Sequence, residues 1–215
     1  MRIRARDVPI NMIDFLIGKY EYFFHKNVPD LEIILQSILA VMHTSVLALE
    51  STVPRNDIMN KTCHVIENHI KRFGVEEEGL NLISGMVVAF NQNFEKIALK
   101  YWPHVMHGLE SISQPKTFRA ALQTIGDYSR IYALNFMDKE NELMGRMLLL
   151  IHENIDRNLK NHILSCIGDL ALGLGPLTEA YIKDILTVVD LCFGAVYNFT
   201  SIYRLIQTPP PRNST

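Results

Sequence analysis

The segment Ala120-Ala121-Leu122-Gln123-Thr124-Ile125-Gly126-Asp127 is echoed 42 residues later by His162-Ile163-Leu164-Ser165-Cys166-Ile167-Gly168-Asp169. A weaker copy, Gly79-Leu80-Asn81-Leu82-Ile83-Ser84-Gly85-Met86, precedes the first by 41 residues. All three lie in stretches with helical apolar spacing, and all three carry glycine at the same place. Glycine inside a helix costs about 1 kcal/mol relative to alanine. Its recurrence at one register implies that a neighbouring helix approaches the backbone there.

A second helical segment follows each copy. Two of these also resemble each other: Lys100-Tyr101-Trp102-Pro103-His104-Val105-Met106 and Ala180-Tyr181-Ile182-Lys183-Asp184-Ile185-Leu186. A period of roughly 40–47 residues with two helices per unit is the HEAT/armadillo spacing. One such unit cannot bury its own apolar face, so units stack. The expected fold is all-α, a HEAT-repeat α-solenoid of antiparallel helix pairs over residues 31–206. Residues 1–30 read as an N-terminal segment holding a partial repeat, and 207–215 as a disordered Pro-rich tail.

The rest of the chain fits this plan. From Leu31, apolar residues recur at Ile34, Leu35, Ile38, Leu39, Met42, Val46 and Leu49, the spacing of an amphipathic helix. Asp30 is placed to cap it. Pro54 breaks the chain, and a helix from Ile58 to Phe73 ends at Gly74. Further helices are expected near 76–91, 94–111, 115–135, 138–154, 157–173, 177–193 and 195–206, with another within 8–26. Short connections force neighbouring helices to be antiparallel. With only 11 Gly and 9 Pro in 215 residues, three of the prolines in the tail, the body is poor in turn-formers.

Composition excludes several functions. Lys and Arg number 21 against 23 Asp and Glu, so the basic field of a nucleic-acid binder is missing. Cys63, Cys166 and Cys192 form no C-x-x-C pair and read as reduced, buried thiols. The start of the chain lacks the long apolar core of a signal peptide. The apolar window 31–49 carries Glu32, Gln36 and His43 at helical intervals, which marks a core helix and not a membrane span. The sequons at Asn60, Asn198 and Asn213 are then inert. His104 and His107 share a helix face without a third ligand, so no metal site is expected. Gly173-Leu174-Gly175-Pro176 follows no strand and reads as a helix terminator, not a phosphate loop. No catalytic constellation or cofactor motif occurs, so an enzyme is not expected.

Residues 75–193 resemble the C-terminal half of importin-β, of the karyopherin-β nuclear import receptors. The resemblance is carried by Gly74-Val75-Glu76-Glu77-Glu78, Phe94-Glu95-Lys96 leading to Tyr101, and Ala121 to Asp127. Above all it rests on Ile163-Leu164-Ser165-Cys166-Ile167-Gly168-Asp169-Leu170-Ala171-Leu172-Gly173-Leu174-Gly175. It extends more loosely over 31–206. It implies a non-enzymatic transport receptor of the cytoplasm, nucleus and nuclear pore, with no membrane insertion. The family's N-terminal repeats, with the main Ran GTPase contacts, and the acidic loop after them have no counterpart here. A HEAT scaffold of another complex, phosphatase or chromosome-associated, is the alternative.

The resemblance also implies two binding faces. Helices 94–111, 138–154 and 177–193 would be outer (A) helices; 76–91, 115–135 and 157–173 would be inner (B) helices. Phe-Gly nucleoporins would insert between A helices, where Trp102, Met106, Met144, Leu148, Tyr181 and Ile185 are the candidates. The competing reading makes these residues ordinary inter-helix core. On the inner face, Glu76, Glu77, Glu78, Asp127 and Asp169 are candidates for binding an importin-α-type adaptor or basic cargo. For the three glutamates the competing reading is a helix N-terminus with favourable acidic charge. For the two aspartates it is a polar ladder between repeats, bonded to backbone or to Arg130.

Overall fold

The computed structural model describes residues 8–49, 56–153 and 156–193, with backbone alone at 133–138, 140–141 and 191–193. The helices are α1 Val8–Phe24, α2 Leu31–Leu47, α3 Asn56–Phe73, α4 Glu77–Phe90, α5 Glu95–Glu110, α6 Pro115–His152, α7 Arg157–Leu174 and α8 Ile182–Phe193. Two 3₁₀ segments, Asn91–Asn93 and Gly175–Tyr181, join α4 to α5 and α7 to α8. No strand occurs among the described residues. The expected helix at 195–206, the tail and the Pro54 break lie outside them.

Helices expected at 115–135 and 138–154 are one uninterrupted helical stretch, α6, of 38 residues. Its path nevertheless reverses. The Tyr128 hydroxyl donates to Ala98 O at 2.7 Å, and a Cβ at Gly108 would stand 3.1 Å from Ala121 Cβ. The first part of α6 is therefore antiparallel to α5. Lys139 Nζ lies 5.3 Å from the Trp102 ring centroid, and Arg146 reaches Glu110 at 3.5 Å. The last part is therefore parallel to α5. In a straight helix residue 146 would stand about 46 Å beyond Pro115, out of reach of Glu110. The two predicted helix directions exist, and the chain turns back between Tyr132 and Lys139.

The elements form two layers. In one, α2, α4, residues 115–132 of α6, and α7 run parallel at near-constant register. Gln36 pairs with Glu76 (40 apart), Thr124 with Leu80 (44), Ser84 with Asp127 (43) and Ser129 with Asp169 (40). In the other, α1, α3 and α5 also run parallel: Lys61 meets Asp14 (47 apart), Arg72 meets Phe24 (48) and Tyr101 meets Cys63 (38). Residues 139–152 and α8 continue that layer. These repeat lengths are those of HEAT units. The core between the layers is continuous, with Tyr20, Phe94, Phe118 and Tyr128 fully enclosed.

The helix ends follow local chemistry, with two departures. Gly74 adopts φ 91° and donates to Ile70 O, closing α3; Gly175 adopts φ 54° and closes α7. Asp30 precedes α2 as expected, but it sits at φ 56°, φ/ψ that aspartate tolerates, and its side chain makes no capping bond. The expected helix 177–193 begins as a 3₁₀ turn through Tyr181: Gly175 still donates to Ala171 O, but Pro176 has no N–H to continue α7.

The repeat glycines meet the close approach their recurrence implies at two of three positions. A Cβ at Gly85 would lie 2.8 Å from His43 Cδ2, and one at Gly126 would lie 2.5 Å from Asp169 Oδ2. At Gly168 nothing stands within 4 Å. Gly126→Ala should therefore lower stability by about 1–2 kcal/mol. Gly145→Ala, also in α6 but with open space at its Cβ, should raise it by about 0.5–1 kcal/mol. Chemical denaturation of both variants checks the contrast; equal shifts would show that Gly126 is not a packing contact.

Candidate functional site

The layer of α2, α4, residues 115–132 and α7 is joined by a line of polar contacts. At one end Glu76 accepts from Gln36 Nε2 at 2.8 Å and contacts His69 Nε2 at 3.2 Å. His69 is fully buried, and burial holds its ring below the ordinary histidine pKa, with Glu76 opposing the shift. A carboxylate only accepts, so Nε2 carries the proton toward Glu76. Nδ1 then accepts from the Tyr20 hydroxyl at 3.2 Å. This chain links α1, α3, α4 and α2. Glu77 is held by Arg119 at 3.6 Å and Lys116 at 3.8 Å, across the gap between α4 and α6. Glu78 is half-buried and has no ion-pair partner among the described residues.

Further along, Asp127 is buried and accepts from both Ser84 Oγ and the Arg130 guanidinium. Arg130 also lies 3.6 Å from Asp169, and Ser129 Oγ donates to Asp169 O at 3.2 Å. Three parallel helices thus share one carboxylate–guanidinium–carboxylate seam. His43 sits on its α2 side, against Gly85. Burial pushes its ring below the ordinary histidine value while Asp127 opposes this, and its Nε2 is buried without a hydrogen-bond partner. Asp127 and Asp169 therefore occupy the ladder geometry. Asp127 presents no open carboxylate, whereas Asp169 is half-buried at the rim.

Beside the seam a polar groove of about 320 Å³ separates residues 115–132 from α7. Arg119, Gln123, Arg130, His162, Ser165 and Asp169 line it, so both charge signs are present. Cys166 lies at its floor, and burial drives its thiol pKa far above the thiolate range, as burial pushes Cys63 up to about 11. Neither is an activated nucleophile. Among the described residues no group of three His, Cys, Asp or Glu side chains could hold a metal. The groove thus meets solvent with charges of both signs, and the thiol at its floor is held in its neutral form by burial.

The apolar candidates fall at two junctions of the other layer. Trp102 and Met106 on α5 are half-buried, and Lys139 of the parallel stretch 139–152, which also carries Met144 and Leu148, lies over Trp102. Met144 is fully buried and Leu148 nearly so. The exposed part of this junction is thus Trp102 and Met106, with Lys139 over the indole. Tyr181 and Ile185, at the next junction, are half-buried against the core.

Comparison with known proteins places this architecture. The family model described as "Importin subunit beta-1-like, TPR repeats" matches residues 25–199. The chain belongs to this importin beta-1-like repeat family. It is 22% identical over 199 residues to importin subunit beta-1 of Schizosaccharomyces pombe, covering 80% of this chain and 22% of that protein. It is 26% identical over 122 residues to the Saccharomyces cerevisiae protein of the same name, covering 56% of this chain and 14% of that one. A crystal structure of importin beta from an ammonium sulfate condition superimposes with a TM-score of 0.69 at 17% identity. That match covers 86% of this chain and 22% of the other, and shows the shared solenoid fold. The matches thus cover only 22% and 14% of the length of these two relatives.

Two features of this importin beta-1-like chain escaped sequence reading. The Tyr20–His69–Glu76 chain joins residues 49 and 7 positions apart, outside the repeat period. His43 against Gly85 does obey the 42-residue spacing, and extending the glycine register one repeat upstream would have found it. The seam carries its own test. Arg130→Met leaves Asp127 buried without its cation and should cost about 2–4 kcal/mol, less than a fully buried pair because Arg130 is half exposed. Arg130→Met with Asp127→Asn removes the stranded charge and should recover part of that loss in urea denaturation. A double variant less stable than the single one would show that Arg130 does not neutralise Asp127.

Proposed function

We propose that this chain acts as a segment of an importin-β-type nuclear transport receptor, working by binding without chemistry in the cytoplasm, the nucleus and the nuclear pore. The observation that carries this reading is the family match over residues 25–199. A stack of parallel repeats can change curvature by small adjustments at each interface, which suits a receptor that wraps and releases partners. Phe-Gly nucleoporins would engage the layer of α5, residues 139–152 and α8. A shallow apolar site there needs half-exposed side chains, and Trp102 and Met106 supply them, with Tyr181 and Ile185 at the next junction. Such contacts are individually weak and act by multivalency.

On the opposite layer, an importin-α-type adaptor or basic cargo would meet Glu76, Glu77, Glu78 and the rim carboxylate Asp169. Glu77 is engaged by Lys116 and Arg119, so a basic segment would have to replace these cations. Ran GTPase would act mainly through repeats of the family outside this segment.

Immobilised Phe-Gly repeats should retain the protein, and Trp102→Ala with Met106→Ser should reduce retention at least several-fold without lowering the thermal midpoint by more than a few degrees. Leu148→Ser, by contrast, should act through stability, because that side chain is buried. No retention of the wild-type chain, at concentrations where another import receptor binds, would refute the assignment.

A further inference from the structure

The polar groove of about 320 Å³ between residues 115–132 and α7 is unevenly charged along its length. The approach of Asp169 to Gly126 sets the register of the two parallel helices. It brings Arg119 level with His162 at one end and Gln123 level with Ser165 in the middle, while Arg130 meets Asp169 at the other end. At the first end Lys116 and Arg119 share the carboxylate of Glu77, at 3.8 and 3.6 Å, which leaves a positive charge in excess. At the other end Arg130 serves both Asp127 and Asp169, which leaves a negative charge in excess. These groups sum to zero, so the field in the groove has a direction and no net sign.

The stretch between the two ends is rich in unused polar groups. Among the described residues Gln123, His162 and Ser165 have neither a hydrogen-bond nor an ion-pair partner, and Arg119 has only its 3.6 Å pair. At exposed helix positions the hydroxyls of Ser37, Thr44 and Thr187 turn back to the carbonyl four residues earlier. The Ser165 hydroxyl makes no such bond and lines the groove. Leu122 and Cys166, both buried, form the floor, so polar pairs made above them are shielded from water on one side.

We infer that this groove holds an extended segment of a partner protein that sets an acidic side chain at Arg119 and His162 and a basic side chain at Asp169. Helix geometry gives the spacing. Arg119 to Arg130 spans about 16 Å along α6, and His162 to Asp169 about 10 Å along α7. An extended chain advances about 3.3 Å per residue, so the two charged residues stand roughly three to five positions apart. Gln123 and Ser165 can each donate and accept, which suits the peptide backbone between them. The Arg119 guanidinium can hold a partner carboxylate through two parallel hydrogen bonds, whereas Glu77 at 3.6 Å makes none with it. A purely basic segment would set a cation against Lys116 and Arg119, and a purely acidic one a carboxylate against Asp127 and Asp169. Both are disfavoured by like charge. Peptide binding at this groove stands apart from the transport reading, because it is measured without Phe-Gly repeats.

Short capped peptides with one glutamate and one lysine four positions apart, joined by Gly and Ser, test this by NMR titration of the full chain. The mixed peptide should bind tighter than versions with glutamine in place of either charge, by about two- to fivefold each, the worth of one exposed ion pair. Arg119→Gln should erase the preference for glutamate and keep that for lysine; Asp169→Asn should do the reverse. A general loss of structure would not separate the two preferences. Lys61→Gln, in the other layer, should change neither. Absence of binding, equal binding of all versions, or a glutamate preference that survives Arg119→Gln would overturn the inference. Tighter binding of a peptide with lysine at both positions would also overturn it, and would make the groove a site for a purely basic segment.

Discussion

Everything in this structure depends on parallel helices meeting at one glycine-marked register. Side-by-side packing of α2, α4, the first part of α6 and α7 requires a close approach once per repeat. Gly85 and Gly126 permit it, with His43 and Asp169 in the space a methyl group would occupy. The penalty of a helical glycine is accepted at Gly85 and Gly126 because a Cβ there would push neighbouring helices of this layer apart. Around Gly126 the approach is locked by charge. Asp127 is shared by Ser84 and Arg130, and Arg130 reaches Asp169 on the next helix. A half-exposed guanidinium bridging a buried and a rim carboxylate is directional, so it specifies register as well as attraction.

The two layers are tied by side chains that cross the core. Buried hydroxyls of Tyr101 and Tyr128 end on the backbone carbonyls of Cys63 and Ala98, at 3.2 and 2.7 Å. Tyr20, His69 and Glu76 do the same for the first four helices. Each satisfies a polar group that burial would otherwise penalise, and each fixes one helix against another. The polar seams hold the layer of α2, α4, residues 115–132 and α7 in register, while Trp102 and Met106 of the other layer stay half-exposed.

Most of the fold was legible in the sequence because a 42-residue repeat with helical apolar spacing has few packing solutions. Helix positions, the Gly74 terminator and the Ile-Gly-Asp contact all follow from that pattern. The reversal within α6 was legible as two helices, although no Gly or Pro marks the turn. The candidate site was less legible, because exposure is a property of neighbours. Met144 and Leu148 carry the same apolar signal as Met106, yet residues 139–152 turn them inward. Glu77 reads as a free carboxylate in its own helix, and only the register with α6 brings Lys116 and Arg119 to it. Asp127 was ambiguous between a ladder and a binding group until Ser84 and Arg130 could be placed beside it.

The fold-back of α6 carries the register of every repeat beyond it, and one distance tests it. Spin labels replacing the exposed Glu110 and the half-buried Arg146 should report a separation below about 20 Å, as neighbouring packed helices require. A separation near 45 Å or more would mean a straight α6 and would contradict the repeat stack described for this chain.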